Sequence, residues 1–378
     1  MGRPEQADTS SRDESNRMIS FENAWPYSRL RRELAENPRT WLVTGVAGFI
    51  GSNLLEELLN LGQTVVGLDN FSTGYQANLD DVTANVGPAA ARRFRMIRGD
   101  IRDLATCRSA CEGVDYVLHQ AALGSVPRSI DDPLTSNSVN VDGFLNMLVA
   151  ARDAGVKRVV YASSCAIYGD SHAFPLTEES TGRLLSPYAA TKLTNEIYGS
   201  VFQRTYGLPV VGLRYFNVFG QRQDPNGAYA AVIPRWIANL LDNEPCEIFG
   251  DGETSRDFVY VANVAQANFL AATSERAGAS AGVYNVACGC ETTLNELYRM
   301  IRLGLAGFEP AIAAARPVYG SDRRGDIRRS MADVTKIRRE LEYEPTHTIA
   351  QGLGQTVEWY VKRSASDGAE QVRESAAV

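Results

Sequence analysis

A chain of 378 residues with 38 Lys and Arg against 45 Asp and Glu carries a formal charge of −7. That length can bury a large core, and the balance lacks the basic excess that nucleic-acid binding requires. No long apolar run is present, and residues Met1 to Asp8 lack the apolar centre of a secretory leader, so a cytoplasmic protein with no membrane or nucleic-acid partner is expected.

Residues 1 to about 20 are polar and read as a disordered tail; Phe21 to Glu36 reads as a short amphipathic helix, so that 1–38 form an N-terminal extension. Thr40 to Thr44 is a strand, Gly45-Val46-Ala47-Gly48-Phe49-Ile50-Gly51 a glycine-rich turn, and Leu54, Leu55, Leu58 and Leu59 mark the following helix. In this spacing Gly45 permits the tight turn, Gly48 lets the backbone approach a pyrophosphate, and Gly51 allows close helix–strand packing. The helix N-terminus then faces the anion. The strand Thr64 to Leu68 ends at Asp69, whose carboxylate accepts hydrogen bonds from an adenosine ribose and repels a 2′-phosphate, which favours NAD over NADP.

Further strands are expected at 94–97, 116–119, 158–162 and 209–214, separated by helical patterns. The fold class is therefore α/β, a Rossmann-type doubly wound parallel sheet over 39–216. Past Asn217 the periodicity breaks into loops rich in Gly and Pro. Residues 217–363 read mainly as a smaller C-terminal substrate-binding domain, with segments near 257–272 and 283–287 returning to the first domain, and 364–378 as a loose tail. Cys107 and Cys111 share a helix face, where a structural role is expected; the six cysteines and three histidines show no zinc spacing, and no metal is expected.

Ligands in such sheets gather at the carboxyl ends of the strands, here Asp100, Ala121-Ala122, Ser163-Ser164 and Tyr215-Phe216-Asn217. Tyr188 and Lys192 stand at i and i+4 on a helix and share a face. A free phenol titrates near 10 and is a poor base at neutral pH; a neighbouring ammonium and an oxidised nicotinamide both lower it. Ser164 is placed to hydrogen-bond a substrate hydroxyl beside Tyr188.

As a set these motifs resemble an extended short-chain dehydrogenase/reductase, and within it the UDP-hexose 4-epimerases, especially the UDP-N-acetylglucosamine 4-epimerase branch. The resemblance runs from about Thr40 to Tyr360 and includes Asp69-Asn70-x-Ser72-x-Gly74, Ser186-Pro187-Tyr188-x-x-x-Lys192, Leu213 to Gly220 and Gly252-x-x-x-Arg256-Asp257-Phe258. It implies that Tyr188, with Ser164 as acid/base partner, takes the proton of the sugar 4-hydroxyl while carbon 4 gives hydride to NAD. The 4-keto sugar then turns, hydride returns to its other face, and Lys192 holds the nicotinamide ribose. The cofactor residues so implied are Gly45, Gly48, Phe49, Ile50, Gly51, Asp69, Asn70, Ser72, Thr73, Gly74, Asp100, Ile101, Gln120, Ala121, Ala122, Asn140, Ser163, Tyr188, Lys192 and Tyr215. The implied substrate residues are Ser125, Ser164, Asn217, Val232, Phe249, Arg256, Arg323, Asp326 and Ser330, with the arginines on the diphosphate.

Dehydratases of this superfamily carry Asp-Glu where this chain has Cys165 and Ala166, so the resemblance favours epimerisation over elimination. Ser330 stands where glucose-only epimerases carry a bulky residue, which leaves room for a 2-acetamido group. A UDP-glucose, UDP-uronic acid or UDP-pentose 4-epimerase stays open, as does a non-catalytic dinucleotide sensor. A homodimer through the helices after Pro133 and Ser186 is also implied.

Overall fold

The apolar runs become the strands of one sheet in the computed structural model, which describes residues 26–376 apart from 227–229, 277, 280 and 322–326, with side chains as far as 365. They are β1 (Thr40–Thr44), β2 (Thr64–Asp69), β3 (Phe94–Arg98), β4 (Tyr116–His119), β5 (Arg158–Ser164), β6 (Val210–Tyr215) and β7 (Ala281–Val286). Every pairing is parallel, and the spatial order is β7-β6-β5-β4-β1-β2-β3. The order reverses between β1 and β4, so a crevice opens there at the carboxyl ends of the strands.

Alternation along β1 shows why both faces must be covered. Trp41 and Val43 join a core with Leu54, Leu55 and Leu58 of the helix Phe49–Asn60 and Phe269 of the helix Val261–Thr273. Leu42 points the other way, to Met147 and Leu148 of the helix Gly143–Asp153 and to Cys107 and Cys111. Period-2 burial on a parallel sheet thus fills two layers with one strand. Burial pushes both of those thiols up to about 12, which leaves them as small apolar side chains.

A third core, with Phe219, Ile233, Trp236, Ile237, Leu297, Ile301 and Leu353, belongs to the chain after Asn217. Its helices Val232–Leu241 and Leu294–Ala306 present amphipathic faces, and Thr293 and Glu296 close a capping box at the start of the second. Three small strand sets lie here: 217–219 with 258–260, 247–249 with 318–320, and 255–256 between 292–293 and 329–330.

The expected N-terminal helix is seen as Pro26–Glu36, with Tyr27, Leu30 and Leu34 packed on the first core; the polar tail before it lies outside the described residues. The described part of the segment expected as a loose tail is helical, since the helix Ile349–Ala376 runs on into it. Its Ala, Glu, Gln and Arg residues favour helix without any apolar stripe to announce one. No helix among the described residues is long and apolar enough to cross a membrane.

Candidate active site

The crevice is a cleft of about 400 Å³ at the ends of β1, β2, β4 and β5. Its floor is backbone. Gly45 has φ +67°, and a Cβ there would stand 2.8 Å from Ala121 N; one on Gly51 would stand 2.0 Å from Gly45 O, and one on Gly74 2.8 Å from the Ala47 carbonyl carbon. No side chain caps the helix Phe49–Asn60, so its first N–H groups are left to face the cleft. A cradle that any Cβ would fill, with uncapped donors at its mouth, fits a dinucleotide pyrophosphate.

Asp69, buried at the end of β2, accepts from Ala47 N at 2.9 Å and Phe71 N at 2.8 Å. It therefore organises the glycine-rich turn with one lone pair on each oxygen and leaves the others toward the cleft it lines. Asn70 donates to Asp100 at 2.8 Å, and the Arg102 guanidinium holds the Asp100 carboxyl well below the usual carboxylate range. Gln120, Tyr215 and Asn268 form a closed hydrogen-bond ring: Tyr215 donates to Gln120 at 3.1 Å, Asn268 to Tyr215 at 2.8 Å, and Gln120 to Asn268 at 3.1 Å.

The expected cofactor residues line this cleft together, from Gly45 to Tyr215, with two qualifications. Asn140 is not among the lining residues; it is buried behind the wall, bonding Leu123 through both main-chain groups and Thr191 through its amide. Ser163 lines the cleft, but its hydroxyl donates to Glu196 at 2.6 Å and so holds the strand end rather than a ligand. Phe216, from the strand-end run Tyr215-Phe216-Asn217, lines it as well, and Leu123, Val139 and Gln223 line it with no sequence signal that pointed to them.

Tyr188 enters on the first turn of the helix Pro187–Tyr206, which Ser186 caps and Pro187 pre-forms. Its backbone N–H donates to Ser129 Oγ at 3.0 Å, which fixes the turn against the neighbouring short helix. The phenol is hydrogen-bonded with Ser164, and Lys192 Nζ lies 5.9 Å from the centre of the Tyr188 ring. That ammonium donates to Ala162 O at 2.7 Å. Burial pushes the phenol up to about 12, against the pull of the Ser164 hydrogen bond, and brings the lysine down to about 8. Enclosure is the largest influence on the phenol, while the ammonium is aimed at the Ala162 carbonyl.

Of the expected substrate residues that are described, Ser164 alone lines this cleft. Ser125 caps the helix Val126–Asp131 beside Gly124, and Asn217 donates to Asp257 O at 3.2 Å. Arg256 and Ser330 are paired in register on adjacent short strands, with Arg256 donating to Ile327 O at 2.6 Å and Ser330 buried. Arg256 acts electrostatically on Cys165, the residue after Ser164, so this strand set lies near the Ser164 end of the cleft. Val232 opens the helix Val232–Leu241, and Phe249 ends the strand paired with 318–320. Arg323 and Asp326 lie outside the described residues.

Residues 41–287 match the NAD dependent epimerase/dehydratase family. The chain is 38% identical over 328 residues to a UDP-glucose 4-epimerase of Mycolicibacterium smegmatis, covering 85% of this chain and 99% of that one. It is 35% identical over 325 residues to a dTDP-glucose 4,6-dehydratase of Streptomyces griseus, covering 85% and 94%. The solved structure of the UDP-N-acetylglucosamine 4-epimerase of Methanobrevibacter ruminantium, in complex with UDP-N-acetylmuramic acid, superposes with a TM-score of 0.79 at 38% identity, covering 86% and 99%. Fold and cleft define an extended short-chain dehydrogenase/reductase. The chain belongs to the NAD-dependent epimerase/dehydratase family.

Proposed function

We propose that this UDP-sugar 4-epimerase, an isomerase that works with NAD, interconverts UDP-N-acetylglucosamine and UDP-N-acetylgalactosamine. The observation that supports this substrate is the small, buried Ser330 in register with Arg256. A side chain of that size leaves space for a 2-acetamido group as the sugar turns.

The residues divide the work. The N–H groups at the start of the helix Phe49–Asn60 hold the dinucleotide pyrophosphate, Asp69 its adenosine ribose and Lys192 its nicotinamide ribose. The chemistry NAD supplies when bound is reversible two-electron oxidation of carbon 4. Tyr188 takes the proton of the 4-hydroxyl and gives it back to the ketone oxygen after the sugar has turned, with Ser164 hydrogen-bonded to the same oxygen. Arg256 and Arg323 clamp the diphosphate, with Ser125, Asn217, Val232, Phe249 and Asp326 around the nucleotide and sugar. Elimination of water needs a carboxylic acid near Ser164. Cys165, whose thiol burial pushes up to about 11, and Ala166 supply none.

Three outcomes test this reading. Ser330→Tyr is expected to lose epimerisation of UDP-N-acetylglucosamine far more than of UDP-glucose, because a clash rejects the larger sugar while the catalytic groups stay in place. Equal loss for both sugars, or undiminished turnover of the acetamido sugar in product analysis, excludes the steric role. Purified protein is expected to carry NAD(H) through desalting, since Asp69 repels a 2′-phosphate; equal retention of NADP in a released-nucleotide assay contradicts it.

The third concerns assembly. Ile130 on the helix Val126–Asp131 and Leu134 on the helix Pro133–Asn137, with Ile197 and Val201 on the helix Pro187–Tyr206, form exposed apolar surface, Leu134 being 82% exposed. We assign this face to a homodimer. Leu134→Asp combined with Ile197→Asp is expected to give monomers by light scattering, and an unchanged mass rejects the assignment. Six unpaired cysteines suit a reducing compartment, and a cytoplasmic location is proposed on that ground.

A further inference from the structure

Asp257 lies at the back of the substrate strands with no exposed surface. Its carboxylate accepts from Cys288 N at 2.9 Å, Gly289 N at 3.0 Å and Ala332 N at 3.3 Å, and also from Cys290 N. The loop that leaves β7 is therefore wrapped around this one side chain. Gly289 takes φ +72° there, which folds the loop so that the two flanking sulfurs and a carboxylate oxygen lie within 4.8 Å of one another. Cys288 is half-buried, with Asn263 Nδ2 at 3.8 Å from its sulfur, and Cys290 is exposed.

We propose that Cys288 and Cys290 are an oxidisable dithiol, closed to a disulfide by a hydroperoxide, and that closure weakens the hold of the adjoining strands on the nucleotide sugar. The interaction between the two neighbouring thiols lowers Cys290 and raises Cys288. Cys290, exposed and the more acidic, is thus the attacking group.

With hydrogen peroxide, the Cys290 thiolate attacks one oxygen and the O–O bond breaks. The sulfur is oxidised to a sulfenic acid, and the departing hydroxide leaves as water with the Cys290 proton. The Cys288 sulfur then attacks the sulfenic sulfur: an S–S bond forms, the S–O bond breaks, and a second water leaves with the Cys288 proton. Two thiols have lost two electrons, and the peroxide has been reduced to two waters.

A metal ion is the less suitable occupant, because the carboxylate oxygens are already engaged by four backbone N–H groups. The path from the thiols to Arg256 is short. Cys290 is followed by Glu291, which accepts from Ser255 Oγ at 3.0 Å and from Arg329, and by Thr292, which pairs with Arg256. Pulling Cys290 toward Cys288 displaces the strand edge that carries Arg256. This effect on substrate rests on the nucleotide-sugar reading above; the dithiol itself does not.

The test treats the reduced, NAD-loaded protein with hydrogen peroxide, counts thiols, maps linkages by mass spectrometry and measures kinetics with UDP-N-acetylglucosamine and UDP-glucose. Expected are loss of two of the six thiols, a Cys288–Cys290 linkage, a severalfold rise in KM with a smaller change in kcat, and reversal by dithiothreitol. Cys290→Ser and Cys288→Ser should each abolish the linkage and the KM change. Oxidation that stops at Cys290, a linkage to any other cysteine, or stoichiometric binding of zinc ion lost in Cys290→Ser overturns the dithiol. A mapped linkage with unchanged KM for a sugar that is turned over overturns the coupling. Absence of turnover with both sugars, the linkage still forming, counts against the substrate reading instead.

Discussion

Tyr188→Phe is expected to lower kcat by roughly 10²-fold or more while leaving UDP-sugar binding and NAD content close to those of the parent protein. The substitution removes one oxygen. The ring stays in its half-buried place, and the backbone bond from Tyr188 N to Ser129 Oγ, which holds the helix start, is untouched. What goes is the group hydrogen-bonded with Ser164 at the mouth of the cleft. The pH profile gives a second reading of the same role. With the phenol near 12 and the lysine near 8, the fraction carrying both a phenolate and an ammonium rises about tenfold per unit as pH approaches 8 and levels above it, one gain offsetting the other loss. The parent kcat/KM should climb with pH along that limb, and the Phe variant should lack it. Near-normal turnover in the variant, or an unchanged limb, takes Tyr188 out of the chemistry.

Features that depend on local backbone were legible in the sequence. Gly45, with its φ of +67°, and Gly51, where a Cβ would stand 2.0 Å from Gly45 O, answer to constraints internal to one turn, whereas the close approach of Gly45 to Ala121 is not local. Tyr188 and Lys192 read as partners because helical spacing alone puts them on one face. The parallel, doubly wound class of the sheet followed from alternating strands and helices. Interactions whose partners are distant in sequence stayed hidden. Arg222 sits in what reads as a polar loop, yet its guanidinium is wholly buried, bonded to Ser52, Asn53, Glu56 and Asp81. Asn140 was expected in the cleft, whereas its amide braces the wall at Leu123 and Thr191, a distinction that no local pattern encodes. The helix beyond Ser364 went unread for the opposite reason, since propensity without an apolar stripe leaves no period to detect.

A stability effect of about 3–5 kcal/mol is expected from breaking the buried Glu196–Arg214 pair at one end, as in Glu196→Gln or Arg214→Met. Neither residue stands out in the sequence, where each reads as an ordinary charged position on a helix or strand. In the fold both side chains are under 10% exposed, at 5% for Arg214 and 8% for Glu196. Arg214 presents Nε and Nη2 to the two carboxylate oxygens at 2.9 and 2.8 Å, donates Nη1 to Glu178 O at 2.8 Å and lies 5.0 Å from the centre of the Tyr168 ring. Removing one partner strands the other charge, or its remaining donors, where water does not reach. Replacing both with apolar residues removes the stranded charge, so Glu196→Leu with Arg214→Met should recover much of the loss, and a double-mutant cycle in urea should show strong coupling. The pair also governs the site. Ser163 donates to the same Glu196 oxygen that receives Arg214 Nε, and Ser163 precedes Ser164 at the end of β5. The apolar double variant should therefore fold well but turn over slowly, because stability is restored without the acceptor that holds the strand end. Single variants within about 1 kcal/mol of the parent by urea denaturation would show the charges to be hydrated, and a double variant with parental kcat would show that Ser164 is positioned without them.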